Sequence, residues 1–174
     1  MSTMREFCLD CGKERDVRRE KKQVEFDVKG ETIILELPVK TCLACCTEEV
    51  ELPDGQDPVD LAFREYRRRH QLLIPDEIKR IRDGYNLSQR SFALLLGMSE
   101  ATVNRYEGGS IQETTHDSLI RACESPEFIR GQLKRRGKLL SDSQRARAEE
   151  ALQPREQAVG SRPLRQIELG ESGT

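Results

Sequence analysis

Four thiols stand in two matched pairs near the start of the chain, Cys8-Leu9-Asp10-Cys11 and Cys42-Leu43-Ala44-Cys45. A CxxC turn presents two sulfurs to one ion, and two such turns complete the tetrahedral thiolate set that zinc takes. Four thiolates leave no position open to water, so the chemistry is a structural cross-link rather than metal catalysis. A redox CxxC sits at a helix start in a thioredoxin-like βαβ pattern, and neither pair has that setting. One structural Zn2+ per chain, held by Cys8, Cys11, Cys42 and Cys45, is the expectation. Cys46 is an extra thiol that could replace Cys45 in a shifted register. Cys123 falls on the inner face of a helical segment and reads as a small core residue. His70 and His116 are far from the cluster in sequence and read as surface or core residues.

A second group of residues has the layout of a nucleic-acid reader. Residues 87–109 run LSQRSFALLLGMSEATVNRYEGG: a cap, a short helix, a glycine-containing turn and a second capped helix, which is the helix-turn-helix arrangement. Ala93 is small where two helices must approach closely. Leu95, Val103 and Tyr106 are spaced to pack inward, which leaves Glu100, Ala101, Thr102, Asn104 and Arg105 on other faces. No nucleophilic triad, phosphate-cradling glycine loop or catalytic carboxylate pair stands out, so no enzymatic activity is expected.

The elements that must position these groups follow from periodicity. Val24, Phe26 and Val28 alternate on one face, as do Ile33, Leu35 and Leu37, and Lys29-Gly30 between them reads as a two-residue turn. Pairing Val28 with Glu31 sets Phe26 opposite Ile33 and Val24 opposite Leu35. The resulting antiparallel hairpin returns the second CxxC to the first. After a Pro53-Asp54-Gly55 loop, Asp57 as N-cap and Pro58 in the first turn open a connecting helix with Val59, Ala62, Phe63 and Tyr66 at helical spacing. Arg64, Arg67, Arg68 and Arg69 crowd its later half as a solvated face, with help in holding phosphate as the alternative. Five helices follow: one over 76–83, one capped by Ser88, one capped by Ser99, one from Thr114 or Thr115 with Leu119, Ile120 and Cys123 inward, and one after Pro126 with Phe128, Ile129 and Leu133. Ser141 with Gln144 caps one more helix to Leu152, after which Pro154, Gly160, Pro163 and Gly170 punctuate a disordered tail. The expected fold is mainly α with a small β zinc-binding module. A zinc-ribbon-like CxxC/CxxC hairpin domain spans 1–56, a linker helix 57–72, a five-helix helix-turn-helix domain 73–137 and a polar tail 138–174.

Composition agrees with this division. Charged residues make up 34% of the 174 and aromatics 5%, with no Trp, a lean core that suits a metal-stapled module. The net charge of −2 does not announce a nucleic-acid binder, but a helix-turn-helix needs only a local basic surface. No apolar run reaches bilayer-spanning length and residues 1–5 open no signal-peptide core, so no membrane partner and a cytoplasmic location are expected. Thiols stay reduced there and bind metal in preference to forming disulfides.

Residues 73–136 resemble the Cro-repressor-like (XRE) family through the shape LSQ…LLG.S..T…YE.G. That resemblance implies an XRE-type domain whose third helix enters the major groove while the second braces the backbone. It implies DNA contacts from Ser88, Gln89 and Arg90, with Gln89 on phosphate, and a phosphate held by Ser99 at a helix start. Glu100, Ala101 and Arg105 would face the bases, Arg105 in bidentate fashion on a guanine, with Thr102 and Asn104 beside them. Ala101 departs from the polar residues often found there and can only touch a thymine methyl or leave room. Gly108 to Ser110 would offer backbone N–H groups to phosphate. From Cys8 to about Arg136, the whole order of elements is similar to the MqsA antitoxin family, with its YgiT-type zinc finger. This second resemblance implies a homodimeric, sequence-specific repressor of its own operon, bound to a palindromic operator in double-stranded DNA. It further implies a type II antitoxin whose zinc domain binds and neutralises a co-encoded toxin, commonly an RNA-cleaving one. The alternatives are a stand-alone zinc-containing helix-turn-helix regulator, of host or phage, with no toxin partner, and a thiol redox enzyme using CxxC.

Overall fold

The structure, a computed structural model, describes residues 4–53 and 55–159, with side chains as far as residue 153. It divides into two compact units, Met1–Ile74 and Pro75–Thr174.

The first unit is an antiparallel meander of β1 (Met4–Cys8), β2 (Lys13–Val28), β3 (Glu31–Cys42) and β4 (Glu48–Val50), adjacent in that order, followed by α1 (Pro58–His70). Val28 pairs with Glu31, Phe26 with Ile33 and Val24 with Leu35. Lys29 and Gly30 take positive φ of 53° and 80°, the two left-handed residues with which a tight turn matches the twist of its strands. The β2–β3 ladder extends beyond the apolar alternation to Val17 and Cys42, and β2 runs on to Lys13 against β1, through a stretch that is charged on both faces. There ion pairs take the place of apolar ones: Arg19 reaches Glu6 and Glu51 at 2.6 Å each, and Lys40 reaches Glu49 at 2.9 Å.

Helix α1 covers the hairpin's apolar face. Val28, Ile33, Leu37 and Val39 are buried on that face, and Ala62 of the helix has no exposed surface. Asp57 caps the helix, its Oδ1 accepting from the Val59 N–H at 2.8 Å. At the other end Glu31, beside the hairpin turn, lies 2.6 Å from His70 and accepts from Arg69 at 3.0 Å. These contacts, His70 first, hold the Glu31 carboxyl below its ordinary value. Arg67, expected on a solvated face, is only 3% exposed, and its burial pulls the guanidinium pKa down.

The second unit contains α2 (Pro75–Asp83), α3 (Gln89–Leu96), α4 (Glu100–Glu107), α5 (Thr114–Ala122), α6 (Pro126–Arg136), a 3-10 turn (Gly137–Leu139) and α7 (Asp142–Val159). α2 to α6 are the five helices expected, and α7 is the further helix expected from the Ser141 cap. Ser141 Oγ accepts from the Gln144 N–H at 3.3 Å, α7 packs on α6 with Ala148 and Leu152 buried, and the helix runs on beyond the expected Leu152 to Val159. The end of the expected tail, 160–174, lies outside the described residues. Ile78, Ile81, Tyr85, Phe92, Leu95, Val103, Ile120 and Ile129 form the core. Tyr85 is fully buried, and its hydroxyl donates to the Cys123 carbonyl at 2.7 Å, which satisfies its polar tip. Among the described residues no helix is long and apolar enough to cross a membrane.

Candidate metal centre and nucleic-acid interface

Both CxxC segments are turns at the same end of the sheet, one joining β1 to β2 and the other β3 to β4. They share one geometry. The Gly12 N–H donates to the Cys8 carbonyl at 2.9 Å with φ +62°, and the Cys46 N–H donates to the Cys42 carbonyl at 2.9 Å with φ +61°. Each left-handed residue closes its loop and turns two sulfurs inward. Cys8 and Cys45 Sγ lie 3.6 Å apart, Cys11 and Cys42 Sγ 4.0 Å, and the four sulfurs all fall within 4.8 Å of one another. Tetrahedral thiolates with metal–sulfur bonds of about 2.3 Å stand about 3.8 Å apart. The donor set therefore fits one ion.

The sulfurs are electrostatically unlike. Thr47, whose Oγ1 lies 3.3 Å from Cys45, lowers the Cys45 thiol to about 6. Cys11 is pushed up to about 12, first by its contact with Cys45 and then by desolvation. Four crowded thiolates repel one another without a cation among them, and a coordinated thiol is deprotonated outright. Cys46 stays outside the group and is exposed, and Cys123 is buried in the second unit. His70 meets Glu31, and His116 Nδ1 lies 2.7 Å from the Tyr106 hydroxyl.

In the second unit, Ser88 Oγ accepts from the Ser91 N–H at 3.1 Å and caps α3, and Gly97 ends that helix in the left-handed conformation at φ 74°. Ser99 Oγ then accepts from the Thr102 N–H at 3.0 Å and caps α4. Val103 and Tyr106 turn into the core, while Glu100, Ala101, Asn104 and Arg105 share the exposed side and Thr102 is half-buried. Arg90 is exposed at the start of α3. Gln89 donates to Glu107 Oε2 at 2.8 Å, which leaves its second N–H for another acceptor. The expectation for the end of α4 needs correction. The N–H groups of Gly108, Gly109 and Ser110 bond the carbonyls of Asn104, Tyr106 and Arg105 at 2.8, 3.2 and 2.9 Å. They close the helix itself, because its last carbonyls need partners, so only the Ser110 hydroxyl remains for a ligand.

One family profile matches residues 4–125, well over half of the chain, and it describes the antitoxin component of the bacterial toxin-antitoxin system, MqsA. The chain belongs to the MqsA antitoxin family. No curated protein and no solved structure matches it. The matched span contains both cysteine pairs and α2 to α5, and stops before α6.

Three features of this MqsA-family site are not among the sequence expectations. Arg82 and Glu107 form a buried ion pair, Nε to Oε1 at 2.6 Å and Nη2 to Oε2 at 2.9 Å, which ties α2 to the end of α4. Burial pushes the Glu107 carboxyl up, but Arg82 and Gln89 outweigh it and leave it below its ordinary value. The signal was present: Arg82 follows Ile78 at i+4, on the apolar stripe of α2, where a cation needs a buried counter-charge. Thr47 beside Cys45 is the second feature, and the matched left-handed residues Gly12 and Cys46 are the third.

Proposed function

We propose that this MqsA-family chain is an antitoxin that represses its own operon as a homodimer, with α4 in the major groove and the metal-stapled unit on the toxin. The observation that carries the DNA reading is the exposed side of α4: Arg105 has no ion-pair partner among the described residues, next to Glu100, Ala101 and Asn104. A short helix capped by Ser99 and packed behind by Val103 and Tyr106 presents that side rigidly. Dimerisation would pair two such helices on a palindrome, one per half-site. The roles of Ser88, Gln89, Arg90, Ser99, Thr102 and Ser110 are contacts to the flanking backbone.

Cys8, Cys11, Cys42 and Cys45 would hold one Zn2+, which when bound ties the two turns together as a closed four-sulfur cross-link. The turns support a protein partner through what they expose. Leu9 and Leu43 occupy the same place in the two CxxC loops and are 85% and 46% exposed, and Phe7 beside them is 60% exposed. Apolar side chains grouped at a rigid, exposed end suit burial by a partner.

The test is expression of the adjacent gene alone and together with this chain, with binding of the purified chain to its own promoter fragment. Toxicity relieved by co-expression and a retarded promoter fragment are expected. A harmless neighbouring gene with intact promoter binding would leave a stand-alone regulator, and no promoter binding in low salt would refute the repressor.

A further inference from the structure

Beyond the family-matched residues, α6 and α7 bracket both ends of α3. At its amino end the Ser88 N–H donates to Gln144 Oε1 of α7 at 3.0 Å. At the other end the Arg136 guanidinium of α6 packs so closely on Gly97, in the turn between α3 and α4, that a Cβ there would meet its Nη1 at 2.2 Å. Leu133 of α6, Gly137 and Leu140 of the connection, and Ala148 and Leu152 of α7 are all buried, which fixes the corner between the two helices.

The corner is basic. Residues 130–147 hold seven cations, Arg130, Lys134, Arg135, Arg136, Lys138, Arg145 and Arg147, against the single acid Asp142. Arg130 and Arg145 are taken up by Glu127 and Glu149. Arg135, Arg136, Lys138 and Arg147 are exposed and have no carboxylate partner among the described residues. Arg147 lies three residues beyond Gln144, so it follows on the same side of α7 as the contact with Ser88. A surface that is rigid, cationic and joined to both ends of α3 suits a polyanion that extends past α3 and α4.

We infer that the α6–α7 corner is a second phosphate-binding surface, on which Arg135, Arg136, Lys138 and Arg147 hold the duplex backbone beside the groove read by α4. The inference rests on the DNA-binding reading above and adds residues that the family match does not reach. Contacts of this kind strengthen binding to any duplex and steepen its salt dependence, without choosing a sequence.

The experiment uses the full zinc-loaded chain, a labelled duplex from its own promoter and an unrelated duplex of equal length. Binding to each is followed by fluorescence anisotropy across a NaCl series. The triple variant Arg135→Gln, Lys138→Gln, Arg147→Gln alters only exposed side chains and should melt as the wild type does. Each lost phosphate contact lowers the slope of log K against log salt by about 0.9, so a fall of about 2 to 3 is expected. Both duplexes should weaken by the same factor, about tenfold or more, while Arg135→Lys with Arg147→Lys keeps the wild-type slope. An unchanged slope in the triple variant, or a loss confined to the promoter duplex, would overturn the inference and leave the DNA reading intact. Tighter binding by Gln144→Ala would also overturn it, by showing that α7 occupies a phosphate's place at Ser88. Failure of the wild type to bind either duplex would overturn the DNA reading and this inference together.

Discussion

Arg82→Ala is expected to be the most damaging single truncation in the helical unit that leaves its apolar core intact. The Arg82 side chain makes four bonds: two to Glu107, one to Asp83 and one to the Leu87 carbonyl at 2.8 Å. Its removal leaves the Glu107 carboxylate, 6% exposed, with Gln89 as its remaining hydrogen-bond donor. Breaking a buried ion pair from one side costs about 3–5 kcal/mol, because the surviving charge keeps its desolvation penalty without its partner. In a unit of this size each kcal/mol moves the melting temperature by about 4–8 °C, so a drop of about 12 °C or more is expected. Circular dichroism at 222 nm follows the transition, since most of the helix lies in this unit. Arg82→Met with Glu107→Leu should recover more than half of the loss, because apolar groups of similar volume replace a buried pair at little net cost. The pH dependence has a definite sign. The Glu107 carboxyl is depressed below its ordinary 4.5, so its stabilisation is complete above that value and is lost as pH falls through the folded pKa. The gap between wild type and Glu107→Gln should therefore close on acidification. A melting temperature within about 4 °C of wild type for Arg82→Ala, or a double variant no better than the single, would refute this account.

Three further outcomes are expected. Cys46→Gly should stabilise the first unit by about 1 kcal/mol, since φ +61° strains any residue with a Cβ; metal content by elemental analysis should stay at one ion per chain, and a fall would make Cys46 a ligand. Chelation should unfold the strands of the first unit, seen as lost amide protection in β1 to β4, while α2 to α7 keep theirs; equal loss in both units would show that the metal does not act locally. Arg105→Ala should weaken promoter binding by about 1–3 kcal/mol and relax one base preference, and anisotropy on a set of single-base operator variants unchanged from wild type would remove Arg105 from the base contacts.

The hairpin could be read to the residue because two independent constraints agreed: Lys29-Gly30 as a left-handed pair, and apolar alternation that pairs Phe26 with Ile33. Its length could not. Residues 13–22 offer Val17 as the one apolar group in a run of charge, and what holds them in the ladder is main-chain bonding with the ion pairs Arg19–Glu6 to β1 and Lys22–Glu48 to β4, neither of which leaves a periodic mark. The packing of α1 was hidden for a related reason. Arg67 on a helix reads as solvated, and only the folded chain shows that it is buried. The caps Ser88, Ser99 and Ser141 were legible because a cap is a local bond between residues three apart. Helix α7 was underestimated, since Ala148 and Leu152 are a thin apolar side that becomes meaningful only against Leu133 and Leu140.

The metal centre bears on why the first unit can expose apolar groups at all. Near the hairpin turn, stability comes from α1 covering Ile33 and Leu37. At the opposite end the strands carry Arg19, Lys40 and their acid partners, and the buried apolar side chains are few, Val17 and Cys42 among them. A sheet end made of exposed salt bridges gains little from them, so an ion held by the four cysteines would cross-link its two turns in place of the missing core. With such a cross-link Leu9 and Leu43 would not need to turn inward to hold the fold, and each is exposed between two of the cysteines on a loop closed by its left-handed residue. Binding a partner there then buries apolar surface without first ordering a loop, which is the costly step for a flexible binding segment.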